Sequence, residues 1–230
     1  MKLTTLSSAF CLSLFGLLHQ AHADTVVLQD NFDSKTAEEG TPLDSQKVGA
    51  SQTMWEATSN ALIVKGAGIR ASDDNPMVCR VPVPADAKEI TVEADLKPDL
   101  KGKGWMAVGM GSGAPANPNF GGLFLLVFPN GGYSLMFNPL PDDTRSASVV
   151  TFKSGRIQSW NPDGMNTLKL VYNRETGMVS AFANGTEELV KGVSLTEKKL
   201  TLKAEFAGVS AIFQTSEGRS VGKFIATITK

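Results

Sequence analysis

Three stretches of this chain alternate apolar and polar residues with a period of two, and this alternation limits the possible fold more than any other feature. Between Glu89 and Leu96 the apolar residues occupy positions 90, 92, 94 and 96, and the same pattern recurs over 167–172 and 200–206. Successive side chains of a strand point to opposite faces, so each stretch predicts a strand buried on one face. The run 123–128, which is apolar throughout, predicts a central strand whose second face is either covered or faces a lined groove.

Short turn sequences separate these stretches. Pro-Asn-Gly-Gly at 129–132 lies between two apolar runs, and Asn-Gly readily takes the positive φ angles of a tight hairpin. A second hairpin is predicted at 173–177, Asn-Arg-Glu-Thr-Gly. No window shows a helical period over about a dozen residues. The sequence therefore predicts an all-β fold, a two-sheet antiparallel β-sandwich of the jelly-roll type.

The N-terminus has the features of an export signal. Lys2 precedes an apolar run over 9–18, and Ala21-His22-Ala23 offers small residues at the spacing required for cleavage. The apolar run is too short for a membrane span, which needs about 20 residues. We therefore expect a signal peptide over 1–23, a single β-sandwich domain over 24–230, and a secreted or periplasmic location.

Cleavage after Ala23 removes both histidines, His19 and His22, together with Cys11. The remaining chain has no histidine and one cysteine, Cys79, which lies in a strand-like run and is expected to be buried. Catalytic arrangements that need histidine are thereby excluded, and the lack of nitrogen ligands argues against zinc or copper. No basic tract marks a nucleic-acid partner, and no later stretch is long and apolar enough to span a membrane.

Several segments resemble the concanavalin A-like and laminin G-like jelly rolls. "LKLVYNRETGMVSAFANGTEEL", beginning at Leu168, is similar to a late hairpin of that superfamily, and "ITVEADLKP", from Ile90 to Pro98, is similar to an early strand. "LQDNFDS", Trp55 and "NALIVKGAGI" resemble the entry strands of such domains in exported bacterial proteins. The resemblance spans most of the expected mature chain and implies the same jelly-roll fold.

A carboxylate pair is the first candidate for chemistry. Glu93 and Asp95 lie two residues apart on one predicted strand, so they share a face. Laminarinase-type glucanases of this superfamily carry Glu-x-Asp-x-x-Glu on such a strand, but Pro98 occupies the position of the second Glu. Glycoside hydrolysis needs one carboxyl group as nucleophile or base and a second as acid, and Pro98 leaves that pair incomplete. We therefore interpret Glu93 and Asp95 as a solvated strand face and keep a glycoside hydrolase as an alternative.

Calcium is the second candidate. The clusters Asp73-Asp74-Asn75 and Asp142-Asp143 supply oxygen atoms, and jelly rolls of this superfamily often hold calcium in their loops. Neither cluster has the spaced ligands of a dedicated calcium loop, and Asp and Asn are common turn residues. We therefore predict no cofactor, with calcium as the alternative.

A carbohydrate site is the third candidate and the one we favour. Trp105, Tyr133 and Phe137 lie on strands that border two long irregular stretches, 112–119 and 138–147, and aromatic faces pack against sugar rings. The remaining candidate ligand-binding residues are Asp142, Asp143 and Arg145 in the second stretch and Trp160 in a turn. The sequence thus predicts a non-catalytic module that binds a polysaccharide or other glycan or mediates cell-surface interaction. A structural or assembly protein without a small ligand is a further alternative.

Overall fold

The computed structural model describes residues 24–32, 38–65, 68–98, 104–113, 121–139, 149–212 and 220–230. The described residues form fifteen strands and no helix, and the strands assemble into two antiparallel sheets. The prediction of an all-β, two-sheet sandwich is confirmed. In this part of the chain, nothing helical has the length and apolarity to cross a membrane.

The first sheet has eight strands within the described ranges. In spatial order they are β13 (Glu187–Ser194), β12 (Met178–Ala183), β11 (Asn166–Asn173), β6 (Glu89–Leu96), β15 (Val221–Thr229), β4 (Gly68–Ala71) and β3 (Ala61–Val64), with β1 (Thr25–Asp30) also pairing with β15. Its central strand β6 buries Ile90, Val92, Ala94 and Leu96, the four apolar positions of the alternating pattern.

The second sheet has seven strands in the same described part. Their spatial order is β10 (Val150–Arg156), β9 (Gly132–Asn138), β8 (Gly121–Val127), β7 (Trp105–Ser112), β14 (Phe206–Ile212), β5 (Met77–Pro82) and β2 (Glu56–Ala57). Strand β8 lies in the middle and is buried on both faces, which is one of the two outcomes that its continuous apolar run predicts. The core lies between the two sheets and includes the buried Cys79.

Both predicted hairpins are present. Strands β8 and β9 pair across the turn at 129–132, where Gly131 has a φ of 78°, and β11 and β12 pair across the turn that ends at Gly177, with a φ of 69°. Glycine adopts these left-handed angles without the steric penalty of a Cβ atom.

The alternating stretch 200–206 differs from its prediction as a strand. Leu202 and Ala204 are buried, as the alternation requires, but strand β14 begins only at Phe206. Residues 200–204 belong to no strand, and the described part of the chain provides no strand that pairs with them. The alternation of apolar and polar residues predicts which side chains face the core. It does not predict whether the main chain pairs with a neighbouring strand.

Candidate functional site

The outer face of the seven-stranded sheet is unusually rich in glycine. Alternate residues of a strand face opposite sides of the sheet. In β7 the side chains of Met106, Val108 and Met110 face the core, so the residues between them face outward. The outward positions of three adjacent strands bring four glycines together, Gly109 and Gly111 on β7, Gly122 on β8 and Gly208 on β14. We call this surface the glycine face.

These glycines cannot be replaced without moving their neighbours. A Cβ atom on Gly111 would clash with the carbonyl oxygen of Gly121, and one on Gly208 would clash with the carbonyl oxygen of Cys79. A Cβ atom on Gly109 would instead strike the ring of Phe124, which lies against this position. Neighbouring main chain and the Phe124 ring thus approach these positions so closely that only glycine, which lacks a Cβ atom, fits there.

Arg80 and Phe206 form one wall of the glycine face. The guanidinium carbon of Arg80 lies 3.5 Å from the centre of the Phe206 ring, in a cation–π contact. The same guanidinium donates to Glu56 Oε2, from Nη2 at 2.9 Å and from Nε at 3.3 Å, and its Nη1 donates to the Gly113 carbonyl oxygen. Arg80 therefore joins β2, β5 and β14 to the residue that follows β7.

The space enclosed between this wall and Phe124 is small. It measures about 20 Å³ and is floored by Gly109, Gly111 and Gly208. A volume of this size holds about one water molecule, since one water-sized probe needs roughly 10–15 Å³. A sugar ring does not fit in this space.

A much larger cleft opens at the adjoining end of the sandwich. It has a volume of about 490 Å³, within the range of about 300–1,000 Å³ that small-ligand sites occupy. We call it the rim cleft, and its described lining is formed by Ser112, Gly121, Gly122, residues 137–139 and residues 199–203. Gly122 belongs to both surfaces, so the rim cleft continues the glycine face outward.

One side of the rim cleft is the segment 199–203, which runs from a turn toward strand β14. Lys199 has a left-handed φ of 57° and ends the preceding turn, in which the amide of Leu200 donates to the Leu195 carbonyl. The segment rejoins the sheet at Glu205, whose amide donates to the Gly111 carbonyl. Among the described residues, the main-chain groups of 201–203 take part in no hydrogen bond. A ligand or water can therefore bond to them.

The predicted aromatic residues divide between two ends of the sheet. Phe137 lines the rim cleft, although only 5% of it is exposed. Tyr133 lies four residues away on the same strand, about 13 Å at the rise of a strand, and its hydroxyl donates to the Leu189 carbonyl at 3.0 Å. Only 6% of Tyr133 is exposed, so its ring packs between the sheets and offers no open face to a sugar.

The two candidate tryptophans, Trp105 and Trp160, lie at the end of the sheet where Tyr133 is found. Trp105 is half-buried and is the first residue of β7, close to the paired residues Val127 and Tyr133. Trp160 covers Gly131 in the turn before Tyr133, and its indole Nε1 donates to the Pro129 carbonyl at 3.2 Å. The structure thus brings Trp105, Tyr133 and Trp160 to one end and leaves Phe137 at the cleft. The three polar candidates, Asp142, Asp143 and Arg145, lie outside the described residues.

Glu93 and Asp95 lie on the other sheet. Both are on the outer face of the eight-stranded sheet, away from the glycine face and the rim cleft. Glu93 is 3.9 Å from Lys223, and Asp95 accepts a hydrogen bond from the Thr167 hydroxyl at 2.6 Å. This is the solvated strand face that the alternating pattern predicts.

Asp73 organises a turn. Its Oδ1 accepts from Asn60 Nδ2 at 2.8 Å and from the Asn75 amide at 2.9 Å, and these bonds, that of Asn60 first, lower the pKa of the carboxyl group. Within the described ranges, no group of three or more His, Cys, Asp and Glu residues is arranged to hold a metal ion. The Asp142-Asp143 cluster is outside those ranges, so calcium there stays the alternative to the prediction of no cofactor.

Asn184-Gly185-Thr186 matches a glycosylation acceptor but is a tight turn. Asn184 and Gly185 have φ angles of 47° and 89°, as the central pair of a type I′ hairpin requires. The Asn184 side-chain amide donates to the Ser159 carbonyl at 2.8 Å and to Asn166 Oδ1 at 3.1 Å. An amide nitrogen engaged in this way is poorly placed to accept a glycan.

Sequence reasoning did not single out Arg80, the four glycines or the lysines of the rim cleft. Arg80 lies within an otherwise apolar strand run, and a charged residue there signals a specific partner. The Gly-x-Gly at 109–111 and the Gly-Gly at 121–122 were visible as interruptions of strand-like sequence, which indicate a close approach of main chains. Lys199 and Lys203 carry no such signal.

Comparison with known proteins identifies the fold. No family model and no curated protein matches the chain. Among solved structures, the carbohydrate recognition domain of Emp46p in its potassium-bound form is 17% identical, with a TM-score of 0.54 over 88% of this chain and 95% of that one. The metal-free lumenal domain of VIP36 is 15% identical, with a TM-score of 0.51 over 85% and 92%.

An enzyme shares the same architecture. The endo-1,3-β-glucanase from Streptomyces sioyaensis is 12% identical, with a TM-score of 0.53 over 97% of this chain and all of that one. At these identities the likeness shows the fold alone. The shared fold is a two-sheet jelly roll, and the fold predicted from the sequence is confirmed.

Proposed function

We propose that this protein is a non-catalytic glycan-binding module and that the rim cleft is its binding site. The observation that carries the proposal is the cleft itself, which combines about 490 Å³ of space with apolar atoms of the half-buried Pro139 and Leu200 and with the polar residues Asn138 and Thr201. Sugar recognition needs this combination, since the C–H face of a ring packs on apolar atoms and its hydroxyl groups need donors and acceptors.

The unpaired segment and the fold add support. Main-chain groups at 201–203 offer hydrogen bonds without the loss of side-chain freedom that a flexible polar residue incurs on binding. Two of the similar structures are named a carbohydrate recognition domain and a β-glucanase, so the architecture accommodates sugar ligands in other proteins. The absence of catalysis is inferred from the incomplete acidic motif at Glu93 and Asp95.

Binding should depend on polar groups that line the cleft. We expect wild-type protein to bind glycans on an array of neutral and acidic oligosaccharides, and Thr201→Val and Asn138→Ala to lose binding with melting temperatures close to wild type. Thr227→Val on the outer face of the eight-stranded sheet is the matched control and should bind normally.

Three results would count against this function. Wild type that binds nothing on a broad array would favour a structural or assembly protein. Full binding by both cleft variants would place the site elsewhere. Hydrolysis of a β-glucan that disappears in Glu93→Gln and in Asp95→Asn would make the protein a glycoside hydrolase.

The proposal includes export, which rests on the sequence of residues 1–23. These residues lie outside the described ranges, so the evidence is the pattern of Lys2, the apolar run and Ala21-His22-Ala23. Mass spectrometry of the exported protein should find Asp24 at its N-terminus, and retention of Met1 would contradict a cleaved signal.

A further inference from the structure

The rim cleft has a charge that distinguishes it from the rest of the chain. Its described lining carries two lysines, Lys199 and Lys203, and no carboxylate. The full sequence has 22 Lys and Arg residues against 23 Asp and Glu, a net charge of −1, so the described lining of the cleft is positive on a slightly negative protein. Glu197 and Glu205 flank the segment 199–203 and are not among the described lining residues.

Both lysines are exposed and line the rim cleft. Lys199 ends the preceding turn, with its left-handed φ of 57°, and Lys203 lies four residues further along the chain. Between them Leu200 packs against the core and Leu202 is buried, while Thr201 is exposed like Lys203. Two separate positive charges in one cleft suit an oligomer with repeated charges better than a single sugar.

The main chain at Lys199 closes a turn beside the cleft. Its φ of 57° accompanies hydrogen bonds from the Lys199 amide to the Thr196 carbonyl and from the Leu200 amide to the Leu195 carbonyl. The Lys199 side chain forms no ion pair within the described part of the chain, so its ammonium group is available to a ligand.

We infer that the ligand of the rim cleft is an acidic oligosaccharide, whose carboxylate or sulfate groups pair with Lys199 and Lys203 while its hydroxyl groups bond to the free main chain of 201–203. This inference rests on the proposed glycan-binding function and specifies its ligand class. Lysine suits such a ligand, since a compact ammonium group on a flexible stem can pair with charges at variable positions.

The test compares charged with neutral ligands by isothermal titration calorimetry. The probes are oligomers of polygalacturonate and of chondroitin sulfate, matched in length to laminarin and cellulose oligomers. We expect the acidic oligomers to bind more tightly, with affinity that falls as NaCl is raised from 50 to 500 mM because exposed ion pairs are screened. The double variant Lys199→Gln/Lys203→Gln should bind them about tenfold more weakly.

Controls separate this inference from the proposed function. Lys191→Gln removes an exposed lysine from β13, away from the cleft, and should leave binding unchanged. Neutral oligomers bound as tightly as acidic ones, or a double variant with wild-type affinity, would overturn the acidic ligand while glycan binding stands. Polyglutamate bound as tightly as polygalacturonate would show an acidic polypeptide site instead. Failure to bind any glycan would overturn both.

Discussion

Removal of the Arg80 guanidinium should destabilise the fold through the contacts that it makes on the glycine face. Arg80→Met keeps much of the apolar stem and loses the two bonds to Glu56, the bond to the Gly113 carbonyl and the stacking on Phe206. A partly desolvated cation–π contact contributes about 1–2 kcal/mol. Each lost hydrogen bond contributes about 1 kcal/mol, and those to a carboxylate somewhat more.

The exposure of Glu56 limits the total. Its side chain is 43% exposed, against 7% for Arg80, so the carboxylate left behind is rehydrated and the full penalty of an unpaired buried charge does not apply. We therefore expect a loss of about 3 kcal/mol. With a urea m-value of about 2 kcal/mol/M for a domain of this size, the midpoint of urea unfolding should fall by about 1.5 M.

Two variants test the reasoning. Glu56→Gln keeps an acceptor at the exposed end and should cost less than about 1 kcal/mol, as exposed ion pairs do. Arg80→Lys keeps the charge but loses the planar fork and its stacking, and should lie between the other two. Equal urea midpoints for Arg80→Met and Glu56→Gln would refute the view that burial and stacking, rather than the ion pair, make Arg80 important.

Three further predictions concern buried and paired groups. Tyr133→Phe removes the bond from the tyrosine hydroxyl to the Leu189 carbonyl and should lower the free energy of unfolding by about 1 kcal/mol in urea titrations, whereas an unchanged value would mean that the hydroxyl is not paired. Burial raises the pKa of the Cys79 thiol, so Cys79 should react with a thiol reagent only on unfolding, and fast labelling of native protein would contradict this. Burial raises the pKa of Glu187, but hydrogen bonds from Ser159 and Gln158 outweigh burial and hold the pKa below its ordinary value of 4.5. The stability that this group contributes is therefore complete above pH 4.5 and is lost as the pH falls through the lower pKa of the folded state. Glu187→Gln should flatten the acid side of the curve of stability against pH, and identical curves for wild type and variant would exclude the effect.

The strands and hairpins could be predicted because their signals are local. The alternation from Glu89 to Leu96 gives the buried face of β6, and the Asn-Gly and Thr-Gly sequences give the turns that join β8 to β9 and β11 to β12. Each signal lies within about ten residues and needs no knowledge of which strands become neighbours.

The site was harder to predict because it depends on sheet register. Gly109, Gly122 and Gly208 meet only after β7 has paired with both β8 and β14, and Arg80 reaches a glutamate 24 residues earlier in the chain. Aromatic residues on strands were expected to form a platform, but burial of Tyr133 follows from which face of β9 meets the opposite sheet. A period of two gives two faces without saying which one is inside.

The rim cleft escaped prediction for a related reason. The alternation over 200–206 indicates an ordinary half-buried strand, and Leu202 is buried as such a strand requires. Pairing depends on the neighbour: β7 ends at Ser112, and among the described residues no strand pairs with 199–203. Sequence patterns describe which side chains are buried, while this site depends on main-chain groups whose pairing is decided by distant parts of the chain.

The most direct test of the central claim is to map a bound glycan by nuclear magnetic resonance. Protein labelled with nitrogen-15 would be titrated with the tightest ligand found on the array, and amide shifts would be followed across both sheets. We predict the largest shifts at Asn138, Thr201 and Lys203, with little change at Thr91 and Lys169 on the outer face of the eight-stranded sheet. Shifts centred on Thr91 and Lys169, with none at the rim cleft, would contradict the account.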